Sequence, residues 1–408
     1  MDSICESLCT ACKACQSVCP VQCISEKRNN DGRIVLAVDN EKCINCNQCK
    51  RICPQITPAD ENYPKRAYAA WNRNVEECQN AASGGIASAA CRYAVDKGWY
   101  FTGTYYDSTD YKVKFAVGSD IEDIERFKNS KYVHSDAAYV YKEVLSLLRN
   151  GATVIFIGLP CQVAGMKNVI KNRCRQGKVY YIDLVCHGTP PAEYLQKHIY
   201  TTLNSSGKSA HICSFRDPEF DTSTFTFTLR KPNKELLYAK EVVSDDNYQY
   251  GFHRAILYRE NCYSCRFAKA ERCGDITLGD YKGLGSLSKY SGDRKNVSCI
   301  LVNTENGAKL IDQLVSGGYI NACERPVQEP IRADHQLNAP SVPHKKRTRF
   351  IQEYIEHQDF TVSALNAYKN DMVLERVLKR FNYYRVKAVL KKLSKDNVLR
   401  VLRERNNK

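Results

Sequence analysis

The segment Thr224–Leu229 (TFTFTL) alternates polar and apolar residues, which predicts a β-ribbon that decorates a core. Thr153–Ile157 and Val179–Val185 are mainly apolar instead, as strands buried on both faces are. The first runs into the loop Gly158-Leu159-Pro160-Cys161 and the second into Cys186-His187-Gly188. Helices are predicted around them: Ile86–Asp96, preceded by Ser83-Gly84-Gly85 and closed by Gly98; Val140–Arg149, stopped by Gly151; and one beginning near Pro191. This recurrence of strand, loop and helix predicts an α/β domain over residues 65–343. Ahead of it, the turn signal Asn30-Asp31-Gly32 leads into Ile34–Val38, a short strand. After it, residues 344–408 open with the basic run His344-Lys345-Lys346-Arg347 and take a helical period, with Leu374, Leu378, Phe381 and Ala388 on roughly one face.

Residues 1–60 contain an internal repeat. Cys9-x2-Cys12-x2-Cys15-x3-Cys19-Pro20 returns 34 residues later as Cys43-x2-Cys46-x2-Cys49-x3-Cys53-Pro54, and Pro54–Pro64 then reads as a linker. Cysteine makes up 21 of the 408 residues, and 10 of these lie in the first 53. No apolar run approaches the roughly 18–20 residues that span a bilayer, and MDSICESLCTACKAC has no basic region followed by an apolar stretch. A cytoplasmic chain without a transmembrane segment is expected. In that compartment dense thiols hold metal rather than form disulfides, and the odd count argues against complete pairing.

Composition narrows the class less than the cysteines do. With 43 % hydrophobic and 26 % charged residues the chain is not mainly disordered. Its net charge of +15 is uneven: residues 376–408 hold 12 Lys/Arg against Asp396 and Glu404. The basicity therefore belongs to a tail. An amphipathic basic tail suits an anionic surface or an acidic partner, while a solvated helical appendage on the core is the alternative. Aromatics are not interleaved with its cations in a nucleic-acid pattern, so nucleic acid is not expected as a partner.

Closely spaced cysteines on a tight turn can place three thiolates on one cubane, and the fourth of each run reaches the other cluster. Cys9, Cys12, Cys15 and Cys53 are thus expected to hold one [4Fe–4S] cluster and Cys43, Cys46, Cys49 and Cys19 a second. This zone resembles the bacterial two-cluster ferredoxin. A pair of zinc sites, the alternative, needs neither the third cysteine nor the following proline. Cys5 and Cys23 fall outside the pattern as spare thiols. In the second zone Cys161 and Cys186 follow adjacent predicted strands, and Cys262-x2-Cys265 lies further on. Loops at the carboxyl ends of neighbouring parallel strands meet at one edge, so these four could bind a third cluster. Buried structural thiols are the alternative reading of Cys161 and Cys186.

Several short motifs occur in order across residues 65–290: Ser83-Gly84-Gly85, Ser130-Lys131-Tyr132-Val133, Gly158-Leu159-Pro160-Cys161-Gln162, Cys186-His187-Gly188-Thr189-Pro190, and Cys262-Tyr263-Ser264-Cys265 followed by Asp275-Ile276-Thr277-Leu278-Gly279-Asp280. Together they resemble the family of coenzyme F420 hydrogenase and dehydrogenase β-subunits. The resemblance implies an α+β multidomain chain: a ferredoxin-like two-cluster domain, an α/β flavin domain over 65–343 and a helical basic tail over 344–408. It also implies FAD, a third cluster, and oxidoreductase activity between a hydride-carrying substrate and an electron-transfer chain, with a redox protein or a small hydride carrier as partner. Relatives reduce chlorophyll precursors, so the family does not fix the substrate. Where many relatives carry Phe-Trp-Gly this chain has Tyr281-Lys282-Gly283, which alters the substrate side, and Cys273 ranks behind Cys161 and Cys186 as a ligand.

Neither a GxGxxG after a strand nor a GxxxxGK[ST] is present, so FAD rests on the resemblance alone. On that footing Ser83, Gly84 and Gly85 would offer N–H groups to its pyrophosphate, or would simply cap a helix. Ser130 and Lys131 are candidates for the flavin or an anionic substrate, with Lys131 a solvated lysine as the alternative. His187 would donate a proton, or only pack and hydrogen-bond. Asp280 would bond the flavin ring or shape its loop. Three functions fit: an iron–sulfur flavoenzyme, a non-catalytic electron-transfer protein within a larger redox complex, and a redox-responsive nucleic-acid regulator.

Overall fold

The computed structural model describes residues 8–171, 173–174, 176–204, 209–242 and 246–380; Cys5 and residues 381–408 of the tail, Phe381 and Ala388 among them, lie outside the described residues. The internal repeat is visible in the backbone. Ala11 and Lys13 have φ of 47° and 63°, and their counterparts Asn45 and Asn47 have 53° and 57°. Each pair of left-handed residues turns a cysteine run back on itself, and the short helices Ala14–Ser17 and Gln48–Ile52 follow. Between the copies β1 (Ile24–Arg28) and β2 (Ile34–Val38) form the expected antiparallel hairpin. At its tip Gly32 has φ +79° and lies so close to Tyr194 that a Cβ there would be 2.9 Å from the ring.

The α/β expectation is met by an eight-stranded mixed sheet. Its strands are β3 (Arg66–Asn72), β4 (Tyr100–Asp107), β5 (Lys112–Gly118), β6 (Thr153–Gly158), β7 (Lys178–Leu184), β11 (Ile276–Asp280), β12 (Ser298–Val302) and β13 (Ile320–Arg325). Between them in the chain, β8 (Ile212–Ser214), β9 (Phe227–Arg230) and β10 (Leu236–Lys240) make a separate antiparallel sheet. The large sheet runs β13-β3-β12-β11-β7-β6-β4-β5, with β11, β7, β6 and β4 parallel and antiparallel pairs on both flanks. Helix Pro160–Ile170 leaves β6, and Ala192–Asn204 follows the turn after β7. The central parallel strands thus deliver Cys161, in the first turn of helix Pro160–Ile170, and the Cys186 loop to one edge.

One expectation is met and two are corrected. TFTFTL does contribute to a β-ribbon beside the core, as β9 is the middle strand of the small antiparallel sheet; Thr222–Thr224 is a 3-10 turn, Phe225 is left-handed, and all four residues of β9 are buried. The polar positions are tolerated inside because Thr228 Oγ1 donates to Asp217, which also receives Arg230. The linker Pro54–Pro64 is fastened down. Asn168 Nδ2 donates to the carbonyls of Ile52 and Thr57, Arg266 to that of Pro54, and Asn62 pairs with Arg272 as a β-bridge. Finally, the first part of the tail is core. Helices Arg347–His357 and Phe360–Arg380 bury Phe350, Tyr354, Phe360, Ala364, Tyr368 and Met372 against Tyr194, Leu195, Tyr248 and Tyr250, whereas Leu374 is 56 % exposed. The aromatic stripe, not the later leucines, sets the buried face.

Candidate iron-sulfur sites

The N-terminal thiols fall into the two crossed groups that the spacing predicts. Cys9, Cys12, Cys15 and Cys53 lie close enough that charge on one raises the others: burial pushes Cys12 up to about 12, with Cys53 and Cys9 adding to it. Burial likewise raises Cys15, which Cys12, Cys9 and Cys53 surround. Cys19, Cys43, Cys46 and Cys49 line a cavity of about 520 Å³ including its mouth. Cys23 lines it too, its Sγ 3.4 Å from that of Cys19, so this spare thiol packs directly on a predicted ligand. Cys49 also bears on Cys15 and Cys53, which makes the two groups neighbours.

Cys161, Cys186, Cys262 and Cys265 are brought together. All four line a second cavity of about 490 Å³ including its mouth, along with His187 and Arg259. Burial pushes Cys186 up to about 12, with Cys262 and Cys265 contributing, and raises Cys161 further. Cys12 is among the charges that act on Cys161, so the first ferredoxin-like group borders this cavity. Cys273 stays behind the wall, its Sγ donating to Pro160 O at 3.2 Å. Each set offers four thiols, and a cubane takes one thiolate at each of its four iron corners, so the donor sets fit the cluster.

Of the flavin candidates, several have their donors spent. Gly84 N–H donates to Ser298 Oγ at 2.9 Å and Ser83 Oγ to Val297 O at 3.2 Å, while Gly85, at φ +71°, starts helix Ile86–Asp96. A Cβ on Gly84 would sit 2.4 Å from Ala70 O, so glycine is required there by close strand approach. These contacts fit the helix-cap reading. Lys131 is neither solvated nor turned to the cavity: its Nζ donates to the carbonyls of Phe127, Lys128 and Asn129, and burial pushes it down to about 7.

Ser130, His187 and Asp280 do converge. Asp280 accepts from Arg216 Nη1 with both oxygens, at 3.0 and 2.8 Å, and Arg216 lies 4.6 Å over the Phe225 ring. Tyr132, stacked on Phe252 at 4.6 Å, is next to Ser130, Arg216 and Asp280. Burial lowers His187, and Lys282 adds to the effect. Lys282, in the departing Tyr-Lys-Gly turn, lies 3.7 Å from Asp334. Sequence reasoning missed Arg216, His253 and Arg259. The first two stand in no motif, but Arg259 precedes the Cys262 run by three residues and could have been noticed there.

Comparison with known proteins bears out the resemblance carried by these motifs. Residues 151–327 match the family model for the C terminus of the coenzyme F420 hydrogenase/dehydrogenase beta subunit, and residues 8–57 match the 4Fe-4S dicluster domain. The Ser83 and Ser130 motifs lie outside both matches. A curated relative from Methanosarcina mazei, the F(420)H(2) dehydrogenase F subunit, is 23% identical over 187 residues, 44% of this chain and 53% of its own length. The chain thus spans about half the length of that relative. A solved structure, the F420-reducing [NiFe] hydrogenase complex from Methanosarcina barkeri in a xenon derivative, aligns with a TM-score of 0.44 at 17% identity, over 67% of this chain and 85% of that one.

Proposed function

We propose that this chain, whose residues 151–327 belong to the family of coenzyme F420 hydrogenase/dehydrogenase beta subunits and whose residues 8–57 are a 4Fe-4S dicluster domain, is an oxidoreductase that passes electrons along three iron–sulfur clusters to or from a hydride-exchanging substrate. The observation that carries this reading is the packing of three thiol sets in series: Cys49 packs against the hydrophobic cluster that holds Cys15, and Cys161 against the core that holds Cys12. Clusters so held supply one-electron transfer, and a flavin, where bound, supplies the change between one- and two-electron chemistry.

The residues around the sets have separable tasks. Cys43, Cys46 and Cys49 are only half-buried and Ile44 beside them is 61 % exposed, so a redox protein would exchange electrons at this end. At the other end His187, held by Ser341 through its carbonyl, faces the group formed by Arg216, Asp280 and Tyr132. His187 at that face would donate a proton to a hydride-exchanging substrate. Arg216 and Lys282 supply positive charge for an anionic carrier or a flavin at that face, which is where flavin contacts are proposed in place of Ser83–Gly85.

Among the described residues no helix is long and apolar enough to cross a membrane. Iron, sulfide and flavin content of anaerobically purified protein tests the reading. About twelve iron per chain is expected for three cubanes. About eight iron without flavin would leave only the dicluster domain, and zinc without iron would refute all three sites. Turnover of a deazaflavin or artificial dye by the isolated chain separates an enzyme from a non-catalytic transfer protein.

A further inference from the structure

Six lysines and arginines are buried among the described residues: Lys13, Arg230, Arg259, Arg272, Arg325 and Arg347. Five have a carboxylate partner. Lys13 pairs with Glu26 and Asp136, Arg230 with Asp217, Arg272 with Asp183, Arg325 with Glu329 and Arg347 with Glu260. Arg259, at 3 % exposure, has none within ion-pair distance among the described residues. Its guanidinium donates through Nη1 to Thr10 O at 2.7 Å and through Nε to Thr189 Oγ1 at 3.2 Å. Both acceptors are neutral. A buried cation left uncompensated costs several kcal/mol, so its counter-charge must come from something else.

The surroundings identify that something. Arg259 lines the cavity of Cys161, Cys186, Cys262 and Cys265, as do both residues that accept from it, Thr10 and Thr189. Thr10, its other anchor, belongs to the loop between Cys9 and Cys12. The residue therefore stands in the wall that separates two thiol sets, with its charge acting on the second. His134 next to it is also buried, and a histidine is either neutral or cationic, so it supplies no counter-charge.

We propose that Arg259 is a positioning and charge-compensating residue: its guanidinium is the counter-ion of the iron–sulfur cluster held by Cys161, Cys186, Cys262 and Cys265, and it biases electrons toward that cluster from the one held by Cys9, Cys12, Cys15 and Cys53. The proposal rests on the three-cluster reading above. A thiolate-ligated cluster is anionic and becomes more so by one unit on reduction, so a fixed cation in a water-poor wall stabilises the reduced state more than the oxidised one. The step itself is a transfer of one electron: the first cluster is oxidised, the third reduced, and no bond or proton is exchanged. Hydrogen bonding to Thr10 adds a positional role, because it ties the Cys9–Cys12 loop to the cavity rim.

The test is a redox titration of the full, anaerobically reconstituted chain followed by electron paramagnetic resonance, with signals assigned by their loss in Cys161→Ser and Cys53→Ser. In Arg259→Met the ratio of reduced third to reduced first cluster at fixed potential is expected to fall at least tenfold, equivalent to 59 mV for one electron. The signal from the Cys19, Cys43, Cys46 and Cys49 set should not move. Arg259→Lys, which keeps the charge but not the planar fork, should restore most of the ratio. Full iron content with a ratio within twofold of wild type in Arg259→Met overturns the proposal, as does an Arg259→Lys chain that falls equally far. Should Arg259→Met lose iron from the third set, Arg259→Lys decides: retained iron and ratio support the role, and their loss overturns it. A wild-type chain with about eight iron and no third signal instead removes the three-cluster reading itself.

Discussion

Replacing Asp183 with alanine would break the contact that braces the third thiol set from behind. Asp183 is fully buried at the end of β7, three residues before Cys186. Its Oδ1 accepts from Arg272 Nη2 at 2.9 Å and Nε at 3.2 Å, and its Oδ2 from Gly274 N at 2.8 Å. Arg272 in turn donates to the carbonyls of Phe267 and Leu184, which closes the segment after Cys265 onto the turn before Cys186. Removing the carboxylate strands a buried guanidinium, a loss of about 3–5 kcal/mol. The freed Gly274 amide would add at most about 1–3 kcal/mol, and less if it relaxes. Asp183→Leu with Arg272→Met removes both charges and should recover most of that loss. Urea unfolding of the metal-free chain measures it, with Trp99, stacked on Tyr180 of β7 at 5.7 Å, as the fluorophore. With a slope of about 3 kcal/mol/M, the midpoint of Asp183→Ala should drop by roughly 1 M or more. A drop below about 0.3 M, or a double variant no better than the single one, would refute the bracing argument.

Cys53→Ser should abolish the cluster of Cys9, Cys12 and Cys15 and leave that of Cys43, Cys46 and Cys49, with Cys19→Ser doing the reverse; loss of the same signal in both variants would disprove the crossed assignment. Gly84→Ala forces a Cβ to within 2.4 Å of the Ala70 carbonyl, so thermal unfolding should show a loss of about 1–3 kcal/mol with iron content unchanged. Burial pushes the Glu329 carboxyl up, but Arg325, the Leu287 N–H and the Tyr281 hydroxyl more than offset this and hold it at about 2. A carboxylate whose affinity for protons falls on folding stabilises above its unfolded value near 4.3 and loses that contribution as pH falls toward 2. Acid unfolding profiles should therefore be flatter over that interval in Glu329→Gln than in wild type.

The grouping of the thiols was legible because they are local or adjoin strands. Spacing alone groups Cys43, Cys46 and Cys49, and the repeat offset of 34 residues places Cys19 and Cys53 by symmetry. The positions of Cys161 and Cys186 follow from two apolar runs that become the adjacent parallel strands β6 and β7. What escaped was whatever depends on long-range satisfaction of polar groups. Lys131 reads as a surface lysine until three carbonyls of its own loop are seen around it. TFTFTL reads as a ribbon strand, but its alternation does not show that Thr228 is buried over Asp217 and Arg230. The basic tail draws attention by its charge, yet its tyrosines and phenylalanines decide where it packs.

The dicluster domain is also less separable than a ferredoxin-like repeat suggests. Cys12, Ala14 and Ile52 share one core with Val140, Val163 and Met166 of the α/β region. Lys13, buried in the first cysteine turn, is paired with Asp136 across that boundary as well as with Glu26 within its own domain. The hairpin tip is caught on the far side, where Asp31 O accepts from Tyr194 and Asn30 O from Gln358. Three independent attachments hold the domain in one orientation, and that orientation puts Cys12 against Cys161. A tethered carrier would search for its acceptor by diffusion. A carrier packed in this way has its transfer distance fixed by the core, so the barrier it must tune is electrostatic, which is why an unpaired cation in the shared wall carries more weight than the tether between the domains.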